Sequence, residues 1–333
     1  MERLIASVLL GFVTVMCAVL PAQAQQTSCQ RRILVASFTS EQLLPISGVA
    51  PTDLEAKIQG KRVTILSLAP DERPHRLLIL LDSSGSMMSY WATATKFAQM
   101  FANENAGTSQ LALMASSRGN ADIVDFSEGN SAVSAKLQEL AMLGYEKKDV
   151  RGMTAIRDAI VQAVQLFHHP TSADAIYLIT DGEENASKHN TEFVEHLLSR
   201  TSVRLFVTVV GHGHDGPVFP IMVENEDLAE MSKDSGGGVL GYLDWNDSRL
   251  FLEADARYPV DLPPDRALAR LFQVISRDEV VQVQLPESIR KFEHLKLKFS
   301  REARKRWKGA RITFPQLLPP CAGQRNGAVP PDR

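Results

Sequence analysis

The chain has 333 residues, of which 44% are hydrophobic and 23% charged, and its formal net charge is −3. That length exceeds one compact domain of ordinary size and predicts two domains, or one with substantial flanks, around a core of good size. So small a net charge excludes a global electrostatic pull toward nucleic acid or an anionic membrane.

Met1-Glu2-Arg3, an apolar stretch from Leu4 to Leu20 and Pro21-Ala22-Gln23-Ala24 form a charged start, a hydrophobic middle and an Ala-x-Ala exit. This reads as a secretory signal peptide over 1–24, cut after Ala24. An uncleaved anchor is the alternative, although the stretch is short for a membrane span. Met16 stands before Cys17, where a lipoprotein signal would want a small residue. No other stretch is long enough to cross a membrane, so the mature chain is expected to have no transmembrane span. Cys29 and Cys321 then remain near the two ends. An even count in an exported chain predicts a disulfide between them, with two independent thiols as the alternative.

The segment 25–70 reads as β-rich. Arg32–Phe38, Leu54–Ile58 and Val63–Leu68 are strand candidates, the last two joined by a turn at Gln59-Gly60-Lys61. Pro70-Asp71-Glu72-Arg73-Pro74 is a polar linker. Leu77-Leu78-Ile79-Leu80-Leu81 is a fully buried strand of a parallel sheet, and it ends abruptly in Asp82-Ser83-Ser84-Gly85-Ser86. A helix over 91–103 carries Trp91, Phe97, Met100 and Phe101 at helical spacing. Short strands at 111–115 and 123–126, a helix over 131–143 and a helix from Ala155 to Phe167 follow. Ala175–Thr180 is a second buried strand, ending in Asp181-Gly182-Glu183-Glu184. Helix 193–198, strand 203–210 ending in Gly211-His212-Gly213-His214, a helix around Leu228–Met231 and strand 239–243 complete the alternation. Strands alternating with helices over 75–247 predict an α/β fold: a doubly wound, mostly parallel, six-stranded sheet with small β-rich flanking segments.

The remainder, 248–321, is read as a second β-rich segment. It holds a helix at 266–274, strands at 280–285 and 292–299, and a basic run of Arg301, Arg304, Lys305, Arg306, Lys308 and Arg311. The tail 322–333 is rich in Pro and Gly and reads as disordered.

Asp82, Ser84 and Ser86 offer one carboxylate and two hydroxyl oxygens at a strand's carboxyl edge, where open α/β sheets bind ligands. Hard cations prefer oxygen ligands of this kind. Gly152-x-Thr154 at a helix start and Asp181-Gly182 after a later strand add further oxygens. Together, Asp82-x-Ser84-x-Ser86, Thr154 and Asp181 resemble the metal-ion-dependent adhesion site of the von Willebrand factor type A domain family. The resemblance covers about half of the chain. It implies a Rossmann-like domain that binds Mg²⁺ or Mn²⁺, with Ca²⁺ as a third choice. Ser84 and Ser86 would ligate through their hydroxyls, Thr154 directly or through water, and Asp82 and Asp181 mostly through bound waters or hydrogen bonds. Mostly neutral direct ligands would leave the ion charge and a vacancy that a partner's carboxylate can fill. The flanks resemble those of exported bacterial proteins carrying this domain, which implies a periplasmic or secreted location and peripheral association with the envelope.

Glu183, His212 and His214 are candidates for the rim of the site, with loop polarity as the plainer reading of the two histidines. Glu183 and Glu184 read as acids at a helix start, where they suit the dipole. The charged loop 145–151 departs from the usual domain. There is no Gly-x-Ser-x-Gly elbow, no His-Glu-x-x-His and no phosphate-cradling loop, so an enzyme is not expected. The resulting reading is an exported, metal-dependent protein-binding module that grips an Asp or Glu of a protein partner and does not bind nucleic acid. Two rivals stand beside it: a hydrolase using the same ion, and a structural envelope protein holding polyanions through the basic run.

Overall fold

The computed structural model describes residues 29–42, 44–117, 120–143, 154–211, 226–244, 249–251, 264–275 and 277–321. The signal segment, the charged loop 145–151, His212, His214 and the tail lie outside these residues. No helix among the described residues is long and apolar enough to cross a membrane.

Two seven-stranded sheets make up the fold. The first is the α/β sheet. Its strands are β4 (His75–Asp82), β5 (Ser109–Ser117), β6 (Asn120–Val124), β7 (Asp174–Thr180), β8 (Arg204–Gly211), β9 (Gly238–Asp244) and β10 (Arg249–Phe251), in the order β10-β9-β8-β7-β4-β5-β6. The five inner strands run parallel, and both edge strands are antiparallel. The expected six-stranded sheet is therefore corrected to seven strands. The additional strand, β10, has only three residues, too few to carry a periodic signal.

Every residue of β4 from Leu77 to Leu81 is buried, because the alternation of side chains feeds two cores. Leu77, Ile79 and Leu81 face helices α1 (Trp91–Asn105) and α2 (Asn130–Leu143), while Leu78 and Leu80 face α3 (Ile156–Gln165), α4 (Thr191–Thr201) and α5 (Glu226–Ser235). Helix α1 buries Trp91, Ala94, Phe97, Ala98, Phe101 and Ala102, a stripe of period near 3.6. Helix α6 (Pro264–Ile275) covers the first face with Leu268, Phe272 and Ile275. Phe101, Tyr177 and Phe272 stack there with ring centroids 4.5–5.1 Å apart.

The second sheet is antiparallel throughout and interleaves both flanks. Its strands are β1 (Arg31–Thr39), β2 (Leu54–Ile58), β3 (Lys61–Pro70), β11 (Glu279–Gln284), β12 (Glu293–Phe299), β13 (Arg311–Thr313) and β14 (Leu317–Leu318), in the order β13-β1-β11-β3-β2-β12-β14. The two flanks, expected as small separate segments, thus pair with each other in one large sheet. Gln59 and Gly60 both take positive φ, +50° and +79°, in the two-residue turn between β2 and β3. That geometry matches the twist of a tight hairpin and suits glycine. The basic run divides between α7 (Arg301–Arg306) and β13. In α7, Ala303 is buried while its charged residues are exposed.

The α/β unit is inserted between β3 and β11, which are hydrogen-bonded neighbours with Pro70 opposite Glu279. At the junction Arg204, Asp278 and Ser37 form a buried polar cluster, with His75 3.9 Å from Asp278. Cys29 and Cys321 are joined by a disulfide, their Cα atoms 5.8 Å apart.

Candidate metal centre

Strand order reverses at β4, which has β5 on one side and β7 on the other, so the carboxyl ends of β4 and β7 frame the crevice where open α/β sheets place ligands. Asp82 is the last residue of β4 and Asp181 directly follows β7. The apolar runs fix both strands by burial, and the chain turns polar only on leaving the sheet.

The Asp82 carboxylate is buried and already oriented. Its Oδ1 accepts the Ser84 amide at 2.9 Å, and its Oδ2 accepts the Thr180 hydroxyl at 2.7 Å. Ser84 Oγ and Ser86 Oγ lie 3.2 Å apart. The Ser86 hydroxyl also bonds the Asp181 carboxylate, whose Oδ1 accepts the Glu183 amide at 3.1 Å. Gly182, at φ +85°, turns the loop and donates to the Thr180 hydroxyl at 3.0 Å, which ties the Asp181 loop to the residue that holds Asp82. Burial pushes the Asp82 carboxyl up to about 6 against the Thr180 bond, and the nearby Asp181 charge adds to the rise. Burial likewise raises Asp181, with the Ser86 bond opposing.

Thr154 is 3% exposed, stands immediately before Ala155, the N-cap of α3, and lines a small cavity with Asp82, Ser116 and Ser117. Both of its backbone polar groups are taken up by the loop after β7. Its amide donates to Asn185 Oδ1 at 2.9 Å, and its carbonyl accepts the amides of Asn185 and Ala186 at 3.1 and 3.0 Å. The same loop caps α3. Glu184 accepts the Arg157 amide at 3.0 Å and Ser187 Oγ accepts the Asp158 amide at 3.2 Å. In return, Asp158 accepts the Lys188 and His189 amides, each at 3.1 Å, and the His189 ring at 2.7 Å.

The structure therefore brings Asp82, Ser84, Ser86, Asp181 and Thr154 to one crevice. Glu183 is exposed beside Asp181. Glu184 is corrected: it is not at the start of the following helix, which begins at Thr191, but at the N-terminus of α3, packed across from the other loop. Four bonds hold it there, and those from the Ser187, Arg157 and Ala186 amides and the Ser187 hydroxyl keep its carboxyl below the usual range despite burial. The sequence reading missed the clamp formed by Asn185, Glu184 and Asp158. Its one local signal is a run of turn-forming polar residues after the strand.

The donor set fits a hard cation. Its atoms are hydroxyl and carboxylate oxygens, the ligand chemistry that hard cations prefer. Adjacent oxygens around an octahedral Mg²⁺ with bonds of 2.0–2.1 Å stand about 3 Å apart, and the two serine hydroxyls meet that spacing at 3.2 Å. Behind them stand two carboxylates, Asp82 buried and Asp181 partly so.

No curated protein matches the chain. Solved structures with a similar fold include BatB of Bacteroides thetaiotaomicron, 17% identical over 61% of this chain and 98% of that one, with a TM-score of 0.39. An aerotolerance-related membrane protein of Bacteroides fragilis is 16% identical over 60% of this chain and 98% of that one, at 0.40. The pilus adhesin SpaC of Lactobacillus rhamnosus GG is 10% identical over 81% of this chain and 48% of that one, at 0.42. Superpositions at this level transfer no function. Residues 77–184, which run from β4 through the Asp181 loop, match the von Willebrand factor type A domain.

Proposed function

We propose that this protein is a metal-dependent protein-binding module whose crevice at the ends of β4 and β7 holds Mg²⁺ or Mn²⁺ and takes up an acidic side chain of a protein partner. The observation that carries this reading is the pair of serine hydroxyls 3.2 Å apart in front of the pre-oriented Asp82 carboxylate. Ser84, Ser86 and Thr154 would hold the ion, and Asp82 and Asp181 would orient them and any bound water. The ion, when bound, supplies an uncompensated positive charge to which a carboxylate can attach. The protein's own contribution is rigidity. Asp82 is held by two bonds and Thr154 by three, so the oxygens need little rearrangement on loading. The reading is of binding rather than catalysis, in an exported chain that meets its partner outside the cytoplasm.

Calorimetric titration of Mg²⁺ into wild type, Asp82→Ala and Asp181→Ala tests the site. Heat in wild type and none in the variants is expected, with the near-ultraviolet signature of the fold retained in all three. Equal binding in all three would remove the assignment. Capture of a partner from envelope extract, with and without EDTA, tests the mode of binding: loss on chelation supports it, and chelator-insensitive, salt-sensitive capture overturns it. Turnover of peptide, phosphoester or ester substrates by the purified protein would favour the hydrolase instead.

A further inference from the structure

Arg32 carries a charge that no anion among the described residues neutralises. It lies in β1 opposite Val283 of β11, and it is half-buried. Arg204 and Arg76, also turned into the fold, are each met by a carboxylate, of Asp278 and Asp174 respectively. Arg32 has no such partner there. Its Nη2 donates to the Pro319 carbonyl at 2.9 Å, and its Nε is buried with no hydrogen-bond partner. Burial lowers its pKa from the ordinary guanidinium value, with no neighbouring anion to offset the effect. A cation held out of water with a donor unsatisfied opposes folding.

The other contact of that head group is sulfur: Nη2 stands 3.8 Å from Cys321 Sγ. Within the bridge this sulfur is neutral and a weak acceptor. On reduction it becomes a thiol, and a cation beside a thiol favours the thiolate. Arg32 therefore gains a counter-ion only when the bridge is open. The two halves of the bridge also differ in access. Cys321 is 7% exposed, with its amide bonded to the Ile289 carbonyl at 3.1 Å, whereas Cys29, before β1, is half-buried. The rate of thiol exchange depends on which sulfur can be reached and on how readily the other leaves, and a leaving thiol of low pKa leaves faster. Access favours attack at Cys29, and charge favours departure at Cys321.

We propose that the Cys29–Cys321 bridge is a thiol-exchange site for a dithiol reductant, with Cys29 as the sulfur attacked and Cys321 as the leaving sulfur, received by Arg32. One thiolate of the reductant bonds to Cys29 Sγ as the Cys29–Cys321 bond breaks, and the electron pair of that bond leaves on Cys321 Sγ beside the guanidinium. The reductant's second thiol gives up its proton and attacks the reductant sulfur now joined to Cys29. The reductant closes into a disulfide, and Cys29 departs as a thiolate that takes up a proton. Two electrons pass from the dithiol, which is oxidised, to the bridge, which is reduced. The proposal does not depend on metal.

The test is equilibration of the full chain at pH 8 with graded ratios of reduced to oxidised dithiothreitol, the open fraction being read by mass after alkylation. Arg32→Gln should make the bridge about tenfold harder to reduce, a shift of roughly 30 mV, and Arg32→Lys, which keeps the charge, should restore most of the difference. A merely structural role predicts the reverse: an arginine that only holds Pro319, and with it Cys321, near Cys29 would leave the bridge easier to reduce when lost. Brief exposure to the monothiol glutathione, followed by acid quenching and alkylation, should place glutathione on Cys29 and the alkyl group on Cys321. Should Arg32→Gln fail to fold, alkylation of Cys321 across pH in reduced wild type decides, with half-reaction below the ordinary thiol range expected. An unchanged or opposite shift in Arg32→Gln overturns the proposal. So does glutathione found on Cys321, or a Cys321 thiol that ionises at or above the ordinary range.

Discussion

Arg204 and Asp278 meet in a two-pronged ion pair, Nη1 to Oδ1 at 2.9 Å and Nη2 to Oδ2 at 2.6 Å, with both side chains 1% exposed or less. Arg204 opens β8 of one sheet and Asp278 precedes β11 of the other, while Ser37 of β1 donates to the same carboxylate. Removing one partner strands a buried charge. Arg204→Met should cost about 3–5 kcal/mol in urea denaturation, and Arg204→Met/Asp278→Leu should recover most of the loss. A double variant as unstable as the single one would show that the pair is worth more than apolar packing there.

Asn185 is expected to act on the metal centre without touching the ion. Its side chain supplies the acceptor for the Thr154 amide, and its own amide, with that of Ala186, donates to the Thr154 carbonyl. Asn185→Ala should lower stability by only about 1 kcal/mol, yet weaken Mg²⁺ binding about tenfold by loosening Thr154. Asn185→Asp, which keeps the acceptor, should restore most of the affinity. Calorimetry on the three proteins checks this.

Glu195 of α4 should make stability depend on pH. Burial, followed by the charges of Asp234, Glu230 and Asp227, pushes its carboxyl from 4.5 up to about 7, with His294 opposing. Between those two values the folded chain holds a proton that the unfolded chain has released. Stability contributed by this group is therefore present below about pH 4.5 and is lost as pH rises through 7. Glu195→Gln should flatten that part of the profile and raise the melting temperature at pH 8 relative to wild type, as read by thermal scans across the range.

Reduction of Cys29–Cys321 should destabilise the antiparallel sheet before the α/β unit. The bridge spans a sequence separation of 292 residues, and on a chain-entropy account closing so long a loop is worth about 5 kcal/mol. Hydrogen exchange with and without reductant should show protection lost first in β1 and β14, next to the bridge, with β4 and β7 affected last.

Local pattern and long-range pairing were unequally visible in the sequence. The apolar run Leu77–Leu81 has the length and composition of a strand buried on both faces, and its abrupt end at Asp82 marked the strand's exit from the sheet; both are read within a few residues. The clean alternation of β12 likewise announced one wet face. What β12 pairs with was not visible, because alternation specifies a face and not a neighbour. Lys57, Arg62 and Lys296 look like scattered surface charges until β2, β3 and β12 are set side by side. Glu184 was misplaced for a related reason. Its acid character suited a helix N-terminus, but the helix it serves, α3, precedes it in the chain and is reached only through the fold. Asp82, Ser84, Ser86 and Asp181 come together because β4 and β7 are spatial neighbours, while the bonds that clamp Thr154 carry no periodic signature at all.

The bridge between Cys29 and Cys321 has a mechanical consequence as well as an entropic one. Both sheets, with the inserted α/β unit between β3 and β11, lie on the covalent loop that it closes. Tension applied to the chain before Cys29 and after Cys321 runs through the sulfur atoms and bypasses everything enclosed. A chain pulled by its two ends therefore does not unravel. A load between the crevice and either end must instead cross from one sheet to the other, where the Arg204–Asp278 pair, the Ser199–Leu317 bond and the His294–Asp234 pair hold them together.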